Sequence, residues 1–176
     1  PIYQAIVVGP PPMEDTFLGK VTERIFLPFV KLLLPEVVDI NLPIFGVFHN
    51  CAFVSIRKQY PQHARKVMHA LWGLGQFMLT KLIVVVDEHV NVQDQDAVLF
   101  HAGANCDYSR DLELVRGPAD VLDHASHQVG WTGKLGIDAT RKWKDEGVAR
   151  EWPEPLTMDA AVKARVAARM KEMGLT

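Results

Sequence analysis

Hydrophobic and polar positions along this chain switch between a two-residue and a 3.6-residue period, and the switches mark its elements. Residues 2–8 (IYQAIVV) form an apolar, β-branched run that predicts an opening strand, stopped at Gly9 by the proline triplet 10–12. Glu14 and Asp15 then place acids in the first turn of a helix whose apolar positions, Leu18, Val21, Ile25 and Phe29, recur at helical spacing. Pro28 is expected to kink this helix and Pro35 to end it. Val37 to Leu42 and Val47 to Arg57 read as strands, the second apolar on both faces. Only a few residues around Gly46 separate them, which favours an antiparallel, hairpin-like pair.

A helix is predicted from Pro61 to about Met78, with Gly73 and Gly75 inside it marking close backbone packing. Residues 82–86 (LIVVV) are the clearest buried strand, with Asp87-Glu88-His89 at its carboxyl end. Asp94 or Asp96 suits the cap of a short helix, and Leu112 to Val115 suits a short strand. From Gly117 to Pro155 glycines, aromatics and charges alternate without a period. Pro153 and Pro155 then mark a linker, and Thr157 is the expected N-cap of a final helix ending at Gly174. The expected architecture is an α/β (α+β) domain, a mixed sheet flanked by helices, over residues 1–155. Residues 156–176 form a terminal helix suited to docking on a neighbouring subunit.

Composition narrows the class. With 176 residues, 48% hydrophobic and 23% charged, the chain can bury one real core. A net charge of -2 with interspersed signs offers no basic stripe for nucleic acid. Two cysteines are too few for a disulfide framework, and Cys51 inside an apolar run reads as a small buried hydrophobe. No apolar stretch reaches the roughly 20 residues of a membrane helix. The opening Pro1-Ile2-Tyr3, in mid-strand and without a basic leader, fits a piece of a longer cytoplasmic protein.

Candidate chemistry is sparse. Asp87-Glu88-His89 sits where open α/β sheets place functional groups, yet a strand exit is also commonly just polar. His124 and His127 are spaced for one helical face but lack further ligands, and a metal hydrolase built from them with His89 is the weakest reading. Gly133-Lys134 lacks the serine or threonine of a phosphate loop, Gly73-Leu74-Gly75 lacks the third glycine of a dinucleotide fingerprint, and no serine-nucleophile elbow occurs.

Three blocks in order, FLGKVTERIFLPFVKLLLPEVVDINLP from Phe17, VSIRKQYPQHARKVMHALWGLGQFMLTKLIVVVDEHVNVQD from Val54 and KLGIDATRKW from Lys134, resemble the C-terminal domain of the UbiD-family decarboxylases. The likeness runs from Ile2 to about Pro155 and is nearest the branch acting on polyprenyl-hydroxybenzoates and related quinone precursors. The resemblance implies a carboxy-lyase using prenylated FMN with Mn²⁺ and K⁺, bound mainly by an N-terminal domain that also carries the acid–base residues. No catalytic, cofactor or metal residue is therefore carried over to this sequence. What it implies for this part is a wall of the substrate pocket, with Ile2, Met78, Ala119 and Val121 as pocket residues. It also implies homo-oligomeric contacts (dimer or hexamer), an aromatic acid substrate and at most transient membrane contact. Two departures stand out: Gly9-Pro10-Pro11-Pro12 replaces a common Gly-Arg-Pro-Pro, and Thr132-Gly133-Lys134 replaces Gly-Ser-Lys. The rival expectation is a non-catalytic assembly module, or one subunit of a split decarboxylase.

Overall fold

A computed structural model describes residues 14–121, 123–154 and 156–175. The strand expected at 2–8, and Ile2 with it, lies outside the described residues. The order is α1 (Glu14–Leu33), β1 (Val37–Asn41), β2 (Cys51–Ile56), α2 (His63–Trp72), β3 (Leu82–Asp87), α3 (Gln95–Asn105), β4 (Leu112–Pro118), β5 (Trp131–Asp138) and α4 (Ala160–Glu172). The five strands form one mixed sheet in the order β1-β2-β3-β5-β4. The inner three run parallel, and each edge strand is antiparallel to its neighbour.

Strand alternation sorts the core onto two faces. Ala52, Val54 and Ile56 of β2 and Ile83 and Val85 of β3 pack beneath Val30 and Leu34 of α1 and Ala64, Val67, Met68 and Leu71 of α2. Their alternates, Cys51, Phe53, Val84 and Val86, face Val98 and Ala102 of α3. A strand buried on both faces cannot show a polar–apolar alternation, which is why β2 and β3 read as continuous apolar runs.

Several boundaries differ from expectation. β2 begins at Cys51, not Val47, because a 3-10 turn at Ile44–Gly46 and left-handed backbone at Val47 (φ 44°) and Phe48 (φ 72°) carry the chain around first. The helix expected to run to Met78 stops at Trp72, capped by Gly73. A separate 3-10 turn, Gly75–Leu79, follows. Nothing crowds Gly75; its φ of +50° shows that it serves the turn rather than close packing. Pro61 lies ahead of α2, which starts after Gln62 in a left-handed conformation. α1 runs unbroken through Pro28 and ends before Pro35. Asp94 caps α3 through Ala97 N (3.1 Å). The α4 cap is Asp159, accepting from Ala161 N (2.8 Å) and Val162 N (3.2 Å), not Thr157.

The largest difference is β5, which lies in the stretch without a period. It contains Gly136, where a Cβ would stand 2.5 Å from Met68 Sδ and 3.2 Å from the Trp72 ring. α2 rests directly on the strand there, so glycine is required and the β-branched signal is lost. No residue of α4 is buried. Among the described residues, no helix is long and apolar enough to cross a membrane.

Candidate functional site

An apolar groove of about 650 Å³ lies between α1 and the 3-10 turn Gly75–Leu79. Leu18, Phe26, Phe29 and Leu33 of α1 form one side, Ile40 and Leu42 of β1 the floor, and Leu74 to Phe77 the other side, with Phe48 and His49 at the rim. Phe48 reaches this place because α1 carries Gly19: a Cβ there would stand 3.0 Å from Phe48 Cα. The left-handed backbone at Val47 and Phe48, unfavourable for a β-branched residue, aims both rim side chains. Thr80 also lines the groove. It is fully buried, its carbonyl accepts from Trp72 Nε1 (3.1 Å), and its Oγ1 makes no hydrogen bond among the described residues.

The groove's rim meets the amino ends of the parallel strands, the end of the sheet at which three of the pocket residues expected from sequence also lie, none of them in the groove's lining. Met78 sits in the 3-10 turn, 42% exposed. Ala119 follows β4, 6% exposed, and donates its N–H to Gly130 O (3.0 Å). Val121, two residues on, is 75% exposed. Lys134 ties this end together. Only 3% exposed, its Nζ donates to the Met78 carbonyl, and Gly117 leaves room for its stem, since a Cβ there would be 3.0 Å from Lys134 Cε. Burial pushes the Lys134 ammonium below the usual lysine range. The loop after β4 is pinned by Lys81–Asp123 (3.0 Å), by Asp123–Ser126 (2.7 Å) and by His49 Nε2–Asp120 Oδ2 (3.5 Å).

The carboxyl ends of the strands hold a different arrangement. Lys58 Nζ reaches Glu146 (2.6 and 2.8 Å), Thr140 Oγ1 (3.1 Å) and the Arg141 carbonyl (2.8 Å). Glu146 also accepts from Gln62 N (2.9 Å) and Trp143 N (2.8 Å). Lys142 Nζ joins Asp138 Oδ1 (2.9 Å) to two carbonyls, and Asp111 engages Arg110 (2.7 Å). Asp87 accepts from Arg141 N (2.7 Å), and Glu88 faces exposed Arg57 (3.6 Å). The carboxyl-terminal half of the KLGIDATRKW block, from Asp138 to Trp143, is thus part of a folding knot in which the buried charges of Asp138 and Lys142, and of Lys58 and Glu146, are spent on one another. Among the described residues, no set of three His, Cys, Asp or Glu side chains could hold a metal ion. His89 leaves the carboxyl end of β3 while His124 and His127 lie in the loop at the other end, so the three-histidine set does not converge. An apolar groove and a saturated ionic knot do not fit a flavin phosphate with its metal.

The model of the 3-octaprenyl-4-hydroxybenzoate carboxy-lyase C-terminal domain matches residues 16–139. The chain belongs to this UbiD family. It is 53% identical over 174 residues to an uncharacterized protein of Archaeoglobus fulgidus (98% of this chain, 36% of that protein) and 57% identical over 166 residues to one of Aquifex aeolicus (94% and 34%). The chain therefore spans about a third of the length of the curated relatives it matches. The UbiD-type fold is shared with the open form of the vanillic acid decarboxylase of Sedimentibacter hydroxybenzoicus (TM-score 0.78, 22% identity, 96% of this chain and 36% of that one). It is shared too with the FMN complex of the UbiD-class enzyme HmfF from Pelotomaculum thermopropionicum (TM-score 0.72, 26% identity, 87% and 34%).

Set beside the UbiD resemblance read from sequence, the site contains one feature that reading missed, the groove itself. Leu18, Val21, Ile25 and Phe29, the apolar positions that recur at helical spacing, are all exposed, as are Phe17, Phe26, Leu32 and Leu33, between 46% and 81%. Val30 and Leu34 are what α1 buries. A helix apolar nearly all round gives its period no preferred face, so the buried side could not be selected from the pattern.

Proposed function

We propose that this chain is the pocket-forming and subunit-contact domain of a UbiD-type decarboxylase, dependent on prenylated FMN, that removes CO₂ from an aromatic quinone-precursor acid such as a polyprenyl-hydroxybenzoate. The observation that supports the reading is an apolar groove at the same end of the sheet as Met78, Ala119 and Val121, in a chain of this family. An oily wall excludes water from a carboxylate that is about to leave as a neutral gas. The cofactor proposal is supported by HmfF, whose structures are in complex with FMN and, in an evolved dimeric form, with prenylated FMN. Here Mn²⁺ and K⁺ would accompany the flavin on residues outside this chain. Ile2 is retained as a pocket residue, and α4, with no buried residue, suits a contact in a homo-oligomer.

The test uses the longer polypeptide, of the length its relatives have, loaded with prenylated FMN and Mn²⁺. It is expected to release CO₂ from a 4-hydroxybenzoate-type acid, while the 176-residue chain alone releases none. Replacing Met78 by a charged residue in the longer protein should raise KM by ~10-fold or more through loss of apolar contact. Turnover by the chain alone, or a flavin-loaded long form inert towards every aromatic acid, would refute the assignment.

A further inference from the structure

The 3-10 turn Gly75–Leu79 is fastened differently from the core elements. None of its residues is fully buried, although Phe77 packs partly against the core. Its neck is closed by Trp72 Nε1, which donates to Thr80 O (3.1 Å). At its entrance Gly75 has a φ of +50° and nothing within 4 Å of its Cβ position, so the backbone has room to pivot there. The turn's own bonds are local, from Phe77 N to Leu74 O (3.0 Å) and from Thr80 N to Phe77 O (3.0 Å). Among the described residues, the one hydrogen bond that reaches the turn from outside residues 71–80 is donated by Lys134 to the Met78 carbonyl.

That donor is electrostatically unfavourable as mere filling. Lys134 is 3% exposed, and its ammonium faces a neutral carbonyl; burial, with no neighbouring charge to offset it, disfavours the charged form. A methionine would occupy similar space without desolvating a charge. The sheet nevertheless makes room for the amine. Val115 stands opposite Lys134 in the β4–β5 register, and Gly117, two residues along, opens a path for the stem. A Cβ at Gly117 would stand 3.0 Å from Lys134 Cε and 3.6 Å from its Nζ. We infer that Lys134 is a positioning residue: its bond to the Met78 carbonyl holds the turn, which pivots at Gly75, so that Met78 stays presented at the end of the sheet where Ala119 and Val121 lie. Gly75 to Phe77 also line the apolar groove, so releasing the tether loosens that wall as well. The inference rests on the proposed decarboxylase reading for what Met78 contacts, and adds a residue that acts through it.

The test is amide hydrogen exchange in the 176-residue chain, as wild type, Lys134→Met and Gly117→Ala. Losing one hydrogen bond from a charged donor should speed exchange at Phe77 and Thr80 by at least ~10-fold in Lys134→Met. Gly117→Ala keeps the amine but crowds its stem, and should speed the same two amides by ~3-fold or more. The Ala139 amide, which donates to Val85 O (2.8 Å), should exchange as in wild type, and the urea midpoint should hold or rise. Exchange at Phe77 and Thr80 within ~2-fold of wild type in Lys134→Met would overturn the inference. So would lost protection at Ala139 together with a lower urea midpoint, or failure to fold, since Lys134 would then serve the core and not the turn. In the flavin-loaded longer protein, Lys134→Met should raise KM for the aromatic acid by ~5-fold or more and leave kcat within ~2-fold. An unchanged KM beside a freed turn removes the positioning role and leaves the decarboxylase reading intact. A wild-type longer protein inert towards every aromatic acid removes that reading instead, while exchange at Phe77 and Thr80 still reports the tether.

Discussion

Replacing Glu146 by alanine would leave Lys58 buried with two neutral acceptors and no counter-charge. The two side chains are 0% and 3% exposed, and their 2.6 Å contact is the centre of the knot over the carboxyl end of the sheet. Removing one member of a buried pair typically costs about 3–5 kcal/mol, because the remaining charge stays desolvated. The N–H groups of Gln62 and Trp143 lose their acceptor at the same time, and about 3–5 kcal/mol is the expected total once local relaxation is allowed. In a domain of this size that lowers Tm by roughly 6–20 °C.

The assay is urea unfolding at neutral pH of Glu146→Ala, Lys58→Met and the pair Lys58→Met/Glu146→Leu. The double variant should be more stable than Glu146→Ala alone, since an apolar replacement strands no charge. A Glu146→Ala cost below ~1 kcal/mol, or single costs that simply add, would refute the ionic knot. The sign of the pH dependence follows from the same contacts. Burial pushes the Glu146 carboxyl up, but hydrogen bonds from Gln62, Lys58 and Trp143 and the Lys58 charge outweigh it, holding it below the ordinary glutamate value. The unfolded chain therefore binds the proton first as pH falls. The contribution is full above the ordinary value of 4.5 and is lost as the pH drops through the lower folded-state value. Glu146→Gln should flatten that acid limb.

Gly136→Ala should cost about 1–3 kcal/mol in chemical denaturation, because its Cβ lands on Met68 and Trp72, whereas Gly133→Ala, with nothing within 4 Å, should stay within ~0.5 kcal/mol. Thr80→Val removes a buried hydroxyl that bonds to nothing among the described residues, so stability should hold or rise by up to ~1 kcal/mol in the same assay. Truncation after Glu154 keeps the Arg141–Glu154 pair and discards α4, which buries no residue; the urea midpoint should not move, and a fall would show that α4 packs on its own domain.

Periodicity and local chemistry alone determined the helix–strand alternation, the mixed sheet, the burial of Cys51 and a cap at Asp94 or Asp96, of which the structure uses Asp94. These depend on each residue's immediate surroundings or on strands buried on both faces. The three ordered blocks pointed to the family, and the resemblance implied Ile2, Met78, Ala119 and Val121 as pocket candidates. Tertiary structure decided what local pattern could not express. β5 was hidden because α2 demands a glycine within it, at Gly136, a requirement imposed by Met68 and Trp72, which lie more than sixty residues away in sequence. The groove was hidden because α1 is apolar on nearly every side, so only its docking on β1 showed which side chains stay outside. Lys134 carried no role in the sequence beyond its place in the family block, and its tether to Met78 exists only once β5 is laid against β3. Likewise Lys58 and Glu146, nearly ninety residues apart, become one buried pair only because the sheet brings its carboxyl ends together beneath the closing loop.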